Sequence, residues 1–209
     1  KANLMLARMD ECQDMTALDR RNYTGYIHFL RGYAYYHILM TCGPAILVGD
    51  EIFESNLEGP AYNTYRATYD ETVEYICSEL ETAAAYLPLK ASIAQFERPT
   101  KGAAYALIAR LRLHAASPLF NGTSTARLYF GNWKRTYDKE YYVNPNYSEE
   151  KWALAAAACK RVIDMNVYEL FTVSKDQNTP QLPAGVPTEN FPDGAGGPVQ
   201  ILFLHVYRR

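Results

Sequence analysis

Apolar side chains recur three and four positions apart through much of this chain, the period of an amphipathic helix. Leu4, Met5, Leu6, Met9 and Cys12 predict a short opening helix. Tyr26, Phe29, Leu30, Tyr33, Tyr36 and Met40 predict a long one over residues 23–40. It ends at Cys42-Gly43-Pro44, because glycine and then proline cannot continue it. Tyr69, Val73, Ile76, Leu80, Ala83, Ala84 and Leu87 line one face of a second long helix over residues 68–87, closed by Pro88. A third runs over residues 99–116, entered at Arg98 or Thr100, with Pro99 tolerated in the first turn. It is rich in alanine (Ala103, Ala104, Ala106, Ala109, Ala115 and Ala116), which lets a neighbouring helix approach closely. A fourth starts with Ser148 as N-cap and places Glu149 and Glu150 where the helix dipole favours acid. It carries Trp152, Ala156, Cys159, Val162 and Ile163, and stops near Asn166.

Between the helices the period is lost. Residues 45–48 read as a brief extended piece and 49–63 as a polar loop with Gly59-Pro60. Residues 119–148 read as one long aromatic loop, broken by Gly122, Gly131, Asn132, Asn144, Pro145 and Asn146; loops of that length are commonly functional. Residues 172–200 are rich in Pro and Gly and read as loop, and residues 201–207 as a strand. Lys1 leads straight into a helical pattern and the chain stops at that strand, so the sequence reads as an excerpt of a longer protein. The expected class is mainly α: antiparallel helix pairs of tetratricopeptide-like, α-α superhelical type with long loops, as a single domain over residues 1–209. The spacing departs from a clean repeat of about 34 residues, so such an array would be degenerate.

Composition narrows the chemistry. A net charge of −2 offers no concentrated basic face, so a nucleic-acid partner is not expected. Cys12, Cys42, Cys77 and Cys159 are widely spaced and form no C-x-x-C pair, which predicts four free thiols, mostly buried. No apolar run approaches the ~20 residues needed to span a membrane. His28, His37, His114 and His205 show no metal-ligand spacing, and neither a nucleophile elbow nor a phosphate loop occurs, so no metal, cofactor or catalytic residue is expected. The carboxylate pairs Asp50-Glu51 and Asp138 with Glu140 read as solvated surface rather than as a glycosidase pair. The surplus is in tyrosine, 18 residues beside 2 Trp, and tyrosine combines a flat apolar face with a polar tip. Helix packing accounts for most of them, and Trp152 is expected in the core.

Four segments carry a family likeness. Phe29-Leu30-Arg31-Gly32-Tyr33-Ala34-Tyr35-Tyr36, followed by Gly43-Pro44, resembles the F-L-R-A-x-x-Y-(Y/F) helix and following turn of SusD/RagB proteins. Tyr69 through Leu87-Pro88 is similar to the family helix ending in A-x-x-x-L-P. Arg98-Pro99-Thr100-Lys101-Gly102-Ala103-Ala104-Tyr105-Ala106-Leu107, then Ser117-Pro118-Leu119-Phe120-Asn121-Gly122, resembles R-x-T-K-G-A-A-x-A-L and its S-P-L-F-N-G exit. Trp152, Ala155, Ala156, Val162-Ile163 and Tyr168-Glu169-Leu170 fit W-x-x-A…V-I…Y-x-L. Ile27-His28 depart from the family, which usually has an acidic residue near that point, and Pro44 arrives early.

The resemblance implies a helical scaffold whose loops bind glycan without catalysis, in a lipoprotein at the surface of the bacterial outer membrane. It further implies an N-terminal lipid anchor lying outside this chain, and oligosaccharide or polysaccharide delivery to a SusC-like TonB-dependent transporter. Within residues 119–148, aromatic rings could cover the C–H face of a sugar while polar neighbours bind its hydroxyls. The candidate ligand-binding residues are Trp133, Tyr137, Tyr141 and Tyr142. A stacked ring contributes about 1–2 kcal/mol by analogy with base stacking. Two such stacks suit transient capture, at dissociation constants on the order of micromolar to millimolar. A tetratricopeptide-like protein-interaction module without a glycan ligand is the alternative reading.

Overall fold

The computed structural model describes residues 1–54, 56, 58–59 and 64–168. The chain divides into two units, Lys1–Val167 and Tyr168–Arg209, and every helix below belongs to the first. The expected Pro/Gly-rich loop at 172–200, the expected strand at 201–207 and part of the 49–63 loop lie outside the described residues.

Among the described residues the protein is helical: α1 (Ala2–Arg8), α2 (Ala17–Cys42), α3 (Tyr69–Tyr86), α4 (Lys101–Ala116), α5 (Ser124–Phe130) and α6 (Glu149–Asp164). A 3-10 turn, Met9–Glu11, extends α1, and another spans Ile93–Gln95. Helix α2 packs on α3, α3 on α4 and α4 on α6. The first pair is antiparallel. Gly25 near the start of α2 approaches Tyr86 and Leu87 at the end of α3, and the Ala45 amide after α2 donates to Thr72 Oγ1 near the start of α3. The second pair turns back likewise, because the Lys101 amide donates to Pro88 O. The mainly-α, paired-helix expectation is therefore correct.

Helix ends follow local chemistry. Helix α2 starts at Ala17, six residues before the expected start at residue 23, because Thr16 Oγ1 accepts from the Asp19 amide at 3.1 Å. Leu18 in that first turn is exposed, so hydrophobic spacing carried no sign of it. At the other end Gly43 takes φ +78° and returns its amide to Leu39 O. Helix α4 begins after Pro99, capped by Thr100. Helix α3 carries a full capping box: the Glu71 amide donates to Thr68 Oγ1 at 3.1 Å and the Thr68 amide to Glu71 Oε2 at 2.6 Å. Thr68→Ala should cost about 1 kcal/mol in urea unfolding; an unchanged midpoint would show that the box contributes nothing here.

The core lies between α2, α3 and α4. Ile76, Leu80 and Leu111 are fully buried, each contributing roughly 1.5–3 kcal/mol. Gly32 lets α2 and α3 close up, since a Cβ there would lie 3.1 Å from Leu80 Cγ. A charged pair, Arg31 and Glu79, is enclosed with them. Arg31, 8% exposed, donates Nε and Nη2 to the two carboxylate oxygens of Glu79 at 2.7 and 2.6 Å. Its Nη1 donates to Asp50 Oδ1 at 2.6 Å and to Asn3 Oδ1 at 2.9 Å. This single guanidinium ties α1, α2, α3 and the 43–51 connection together. Asp50 is exposed, as expected of solvated surface, and is also one of its partners.

Two burial expectations are corrected. Trp152 is 41% exposed rather than in the core. Helix α6 turns Ala155 and Ala158 inward, and the neighbouring stripe of Trp152, Ala156 and Ile163 faces out. Both stripes have helical period, and the small residues are the ones that fit against alanine-rich α4. The four cysteines are free as expected, but only Cys77 is buried; Cys12 and Cys42 are exposed.

Candidate functional site

The 119–148 segment is not a structureless loop. It contains α5, capped by Thr123 and ended by Gly131 at φ +49°, and then a tight hairpin. The Trp133 amide donates to Phe130 O, the Tyr142 amide to Trp133 O and the Arg135 amide to Glu140 O, around an antiparallel bridge between Lys134 and Tyr141. Lys139 at φ +63° turns the chain. Composition showed the breakers but could not reveal that they frame a helix and a hairpin.

The head of α3 holds this hairpin. Tyr142 O accepts from the Tyr69 amide at 2.7 Å, one of the first-turn amides that a helix leaves unpaired. Glu71, already part of the capping box, accepts from Arg135 Nη1 at 2.9 Å. Arg135 is 6% exposed and also donates to Asp138 at 2.6 and 3.1 Å and to Glu140 at 3.3 Å. The Asp138–Glu140 pair is exposed, as expected of solvated surface, and also clamps the hairpin closed on Arg135. Burial raises the Asp138 carboxyl, but the Glu140 amide and the Arg135 guanidinium outweigh it and hold the group below the usual carboxylate range. That is the opposite of what a general acid requires.

Below the hairpin, Tyr69 is buried against Phe120, rings parallel at 4.3 Å, and shares a 2.9 Å hydrogen bond with His114 Nδ1. Phe120 and Phe130 pack inward as structural rings. Asn121 is buried, accepts from the Ser148 amide at 2.8 Å and donates to Ser148 O at 2.9 Å. Ser148 therefore enters α6 held by Asn121 rather than capping the helix with its own hydroxyl.

All four candidate binding residues lie on the hairpin. Trp133 is 40% exposed and pairs with half-buried Tyr142, ring centroids 4.5 Å apart at a tilt of 36°. Tyr141 lines a groove of about 940 Å³ running between the hairpin and α3, with Glu71, Glu74, Tyr75 and Asn144 on its walls. Lys134 Nζ sits 4.2 Å from the Tyr141 ring. Tyr137 does not join the Trp133–Tyr142 pair. It is half exposed, with Arg135 Cζ 5.2 Å from its ring and Tyr65, from the segment entering α3, at 4.1 Å. Tyr65 was missed in the sequence because it lies outside the aromatic segment and follows no period.

Among the described residues, no His, Cys, Asp and Glu side chains gather as a metal site, and no helix is long and apolar enough to cross a membrane. Residues 1–113 match the SusD-like family, described as starch-binding and associating with the outer membrane, and the chain belongs to that family. Among solved structures it is similar to BT4246, with TM-score 0.74 and 24% identity over 90% of this chain and 33% of that one. It is also similar to a SusD homolog from Bacteroides thetaiotaomicron VPI-5482, with TM-score 0.57 and 21% identity over 81% and 28%. A SusD-like carbohydrate-binding protein from Bacteroides fragilis NCTC 9343 matches with TM-score 0.53 and 15% identity over 79% and 25%. At these identities the likeness is one of fold, and the chain spans about a quarter to a third of their lengths. No curated protein sequence matches.

Proposed function

We propose that this protein captures oligosaccharide or polysaccharide at the surface of the bacterial outer membrane without cleaving it, and passes it to a SusC-like TonB-dependent transporter. The family match over residues 1–113 carries this reading. The hairpin supplies the chemistry: Trp133 and Tyr137 offer exposed rings, Tyr141 and Tyr142 half-buried ones, and beside Tyr141 in the groove the carboxylates accept from sugar hydroxyls while Asn144 can accept or donate. The groove volume of about 940 Å³ is that of a small-molecule site. Non-catalytic capture is further supported by two of the groove's carboxylates, Asp138 and Glu140, being committed to Arg135. Lipid anchoring and outer-membrane location are part of the same proposal.

The test is affinity electrophoresis of the intact protein through gels containing soluble starch, galactomannan or xylan. Trp133→Ala and Tyr137→Ala should each weaken binding about 5- to 30-fold, the loss of one stacked ring. Equal mobility of both variants and wild type in the gel that retards wild type would remove the hairpin from the site. The protein-interaction alternative draws on an apolar groove of about 1030 Å³ beside α1 and α2, lined by Leu4, Met5, Tyr23, Leu30 and Ile38. A blank glycan panel together with binding of an apolar peptide would favour it.

A further inference from the structure

Tyr65 belongs to the short stretch that leads from the loop after α2 into α3, and it reaches across to a hairpin seventy positions further on. Its ring centroid lies 4.1 Å from that of Tyr137 at a tilt of 41°. Tyr137 has a neighbour besides Tyr65, the Arg135 guanidinium. Tyr65 is 68% exposed and Tyr137 50%, so Tyr65 offers the larger free area of the pair. Arg135 is fixed by Glu71, Asp138 and Glu140, so the ring that backs Tyr65 stands on a braced support. The backbone next to Tyr65 is braced too, since the Ala67 amide donates to Ala45 O at 2.8 Å. An aromatic ring held from behind and open in front loses little freedom when a ligand covers it, which is the requirement for a stacking platform.

We infer that Tyr65 is a sugar-stacking residue of the glycan site, backed by Tyr137, and that the site is therefore built from two distant segments of the chain. The inference rests on the glycan-binding reading and deepens it. The C–H face of a pyranose ring lies on the open face of Tyr65. The phenol hydroxyl is incidental, because the contact is made by the ring.

The experiment compares Tyr65→Ala, Tyr65→Phe and wild type of the intact protein, using whichever of soluble starch, galactomannan or xylan retards wild type most. Tyr65→Ala should weaken binding about tenfold, while Tyr65→Phe stays within about twofold of wild type. Thermal unfolding of both variants should stay close to wild type, since Tyr65 is 68% exposed and substitutions at exposed positions change stability little. Wild-type retardation with undiminished binding by Tyr65→Ala would overturn the inference and leave the glycan reading standing. Equal losses in the Ala and Phe variants would also overturn it, because a hydroxyl contact would then carry the effect. If no polymer retarded wild type, the glycan reading itself would fall, and this inference with it.

Discussion

Arg31→Met should destabilise the protein by about 3–5 kcal/mol, read as a fall in the urea unfolding midpoint, because it strands a buried carboxylate. Glu79 is 6% exposed, and two of the three hydrogen bonds its carboxylate accepts come from Arg31, the remaining one from His28 at 2.9 Å. Methionine fills most of the arginine stem but leaves Glu79 without its guanidinium and Asn3 and Asp50 without their shared donor. Adding Glu79→Leu should recover much of the loss, since two apolar side chains leave no unpaired charge. A single variant costing less than about 1 kcal/mol would mean the clamp is not holding the helices together.

The same clamp sets an acid limit. Burial raises the Glu79 carboxyl, but the bonds from His28 and Arg31 outweigh it and hold the group below its ordinary value of 4.5. A lowered carboxylate stabilises the folded state fully above that ordinary value, and the contribution is lost as pH falls through the lowered one. Wild-type stability should thus decline below about pH 4.5. In Arg31→Met burial has less to oppose it, so the folded value rises toward the ordinary one and the decline on acidification should shrink.

Gly122→Ala should cost about 3 kcal/mol or more, measured by thermal or urea unfolding. Gly122 has φ +61°, a region L residues rarely adopt, and a Cβ there would clash with the Asn146 carbonyl group and the Tyr147 amide nitrogen. Those neighbours are backbone atoms, so relief requires moving the segment that enters α6. Gly43 separates the two effects. Its φ of +78° with ψ −156° is a backbone region nearly confined to glycine, but its Cβ position is open, so Gly43→Ala should cost about 1–3 kcal/mol, less than Gly122→Ala. Equal losses at the two positions would show that the close approach at Gly122 contributes nothing.

Much of this architecture was legible in the residues. Helices expected over 68–87 and 99–116 are found at Tyr69–Tyr86 and Lys101–Ala116. Asn166, the expected stop after α6, takes φ +50°. Three things were not legible. Helix α6 offered two adjacent apolar stripes, and only the shape of α4 chose between them, leaving Trp152 outside. The 119–148 segment showed breakers without showing the helix and hairpin they delimit. Tyr65 had no companion in sequence to mark it.

The difference has a physical cause. Period, caps and breakers act within about four residues of where they are read, so local chemistry was enough to place the helices, their ends and the paired-helix class. The hairpin depends on Arg135 meeting Glu71, and the exposed ring pair on Tyr137 meeting Tyr65; in both cases the partners lie dozens of positions apart. Such contacts exist only after α3 has packed and turned its first turn toward residues 133–142, and no local pattern encodes that meeting.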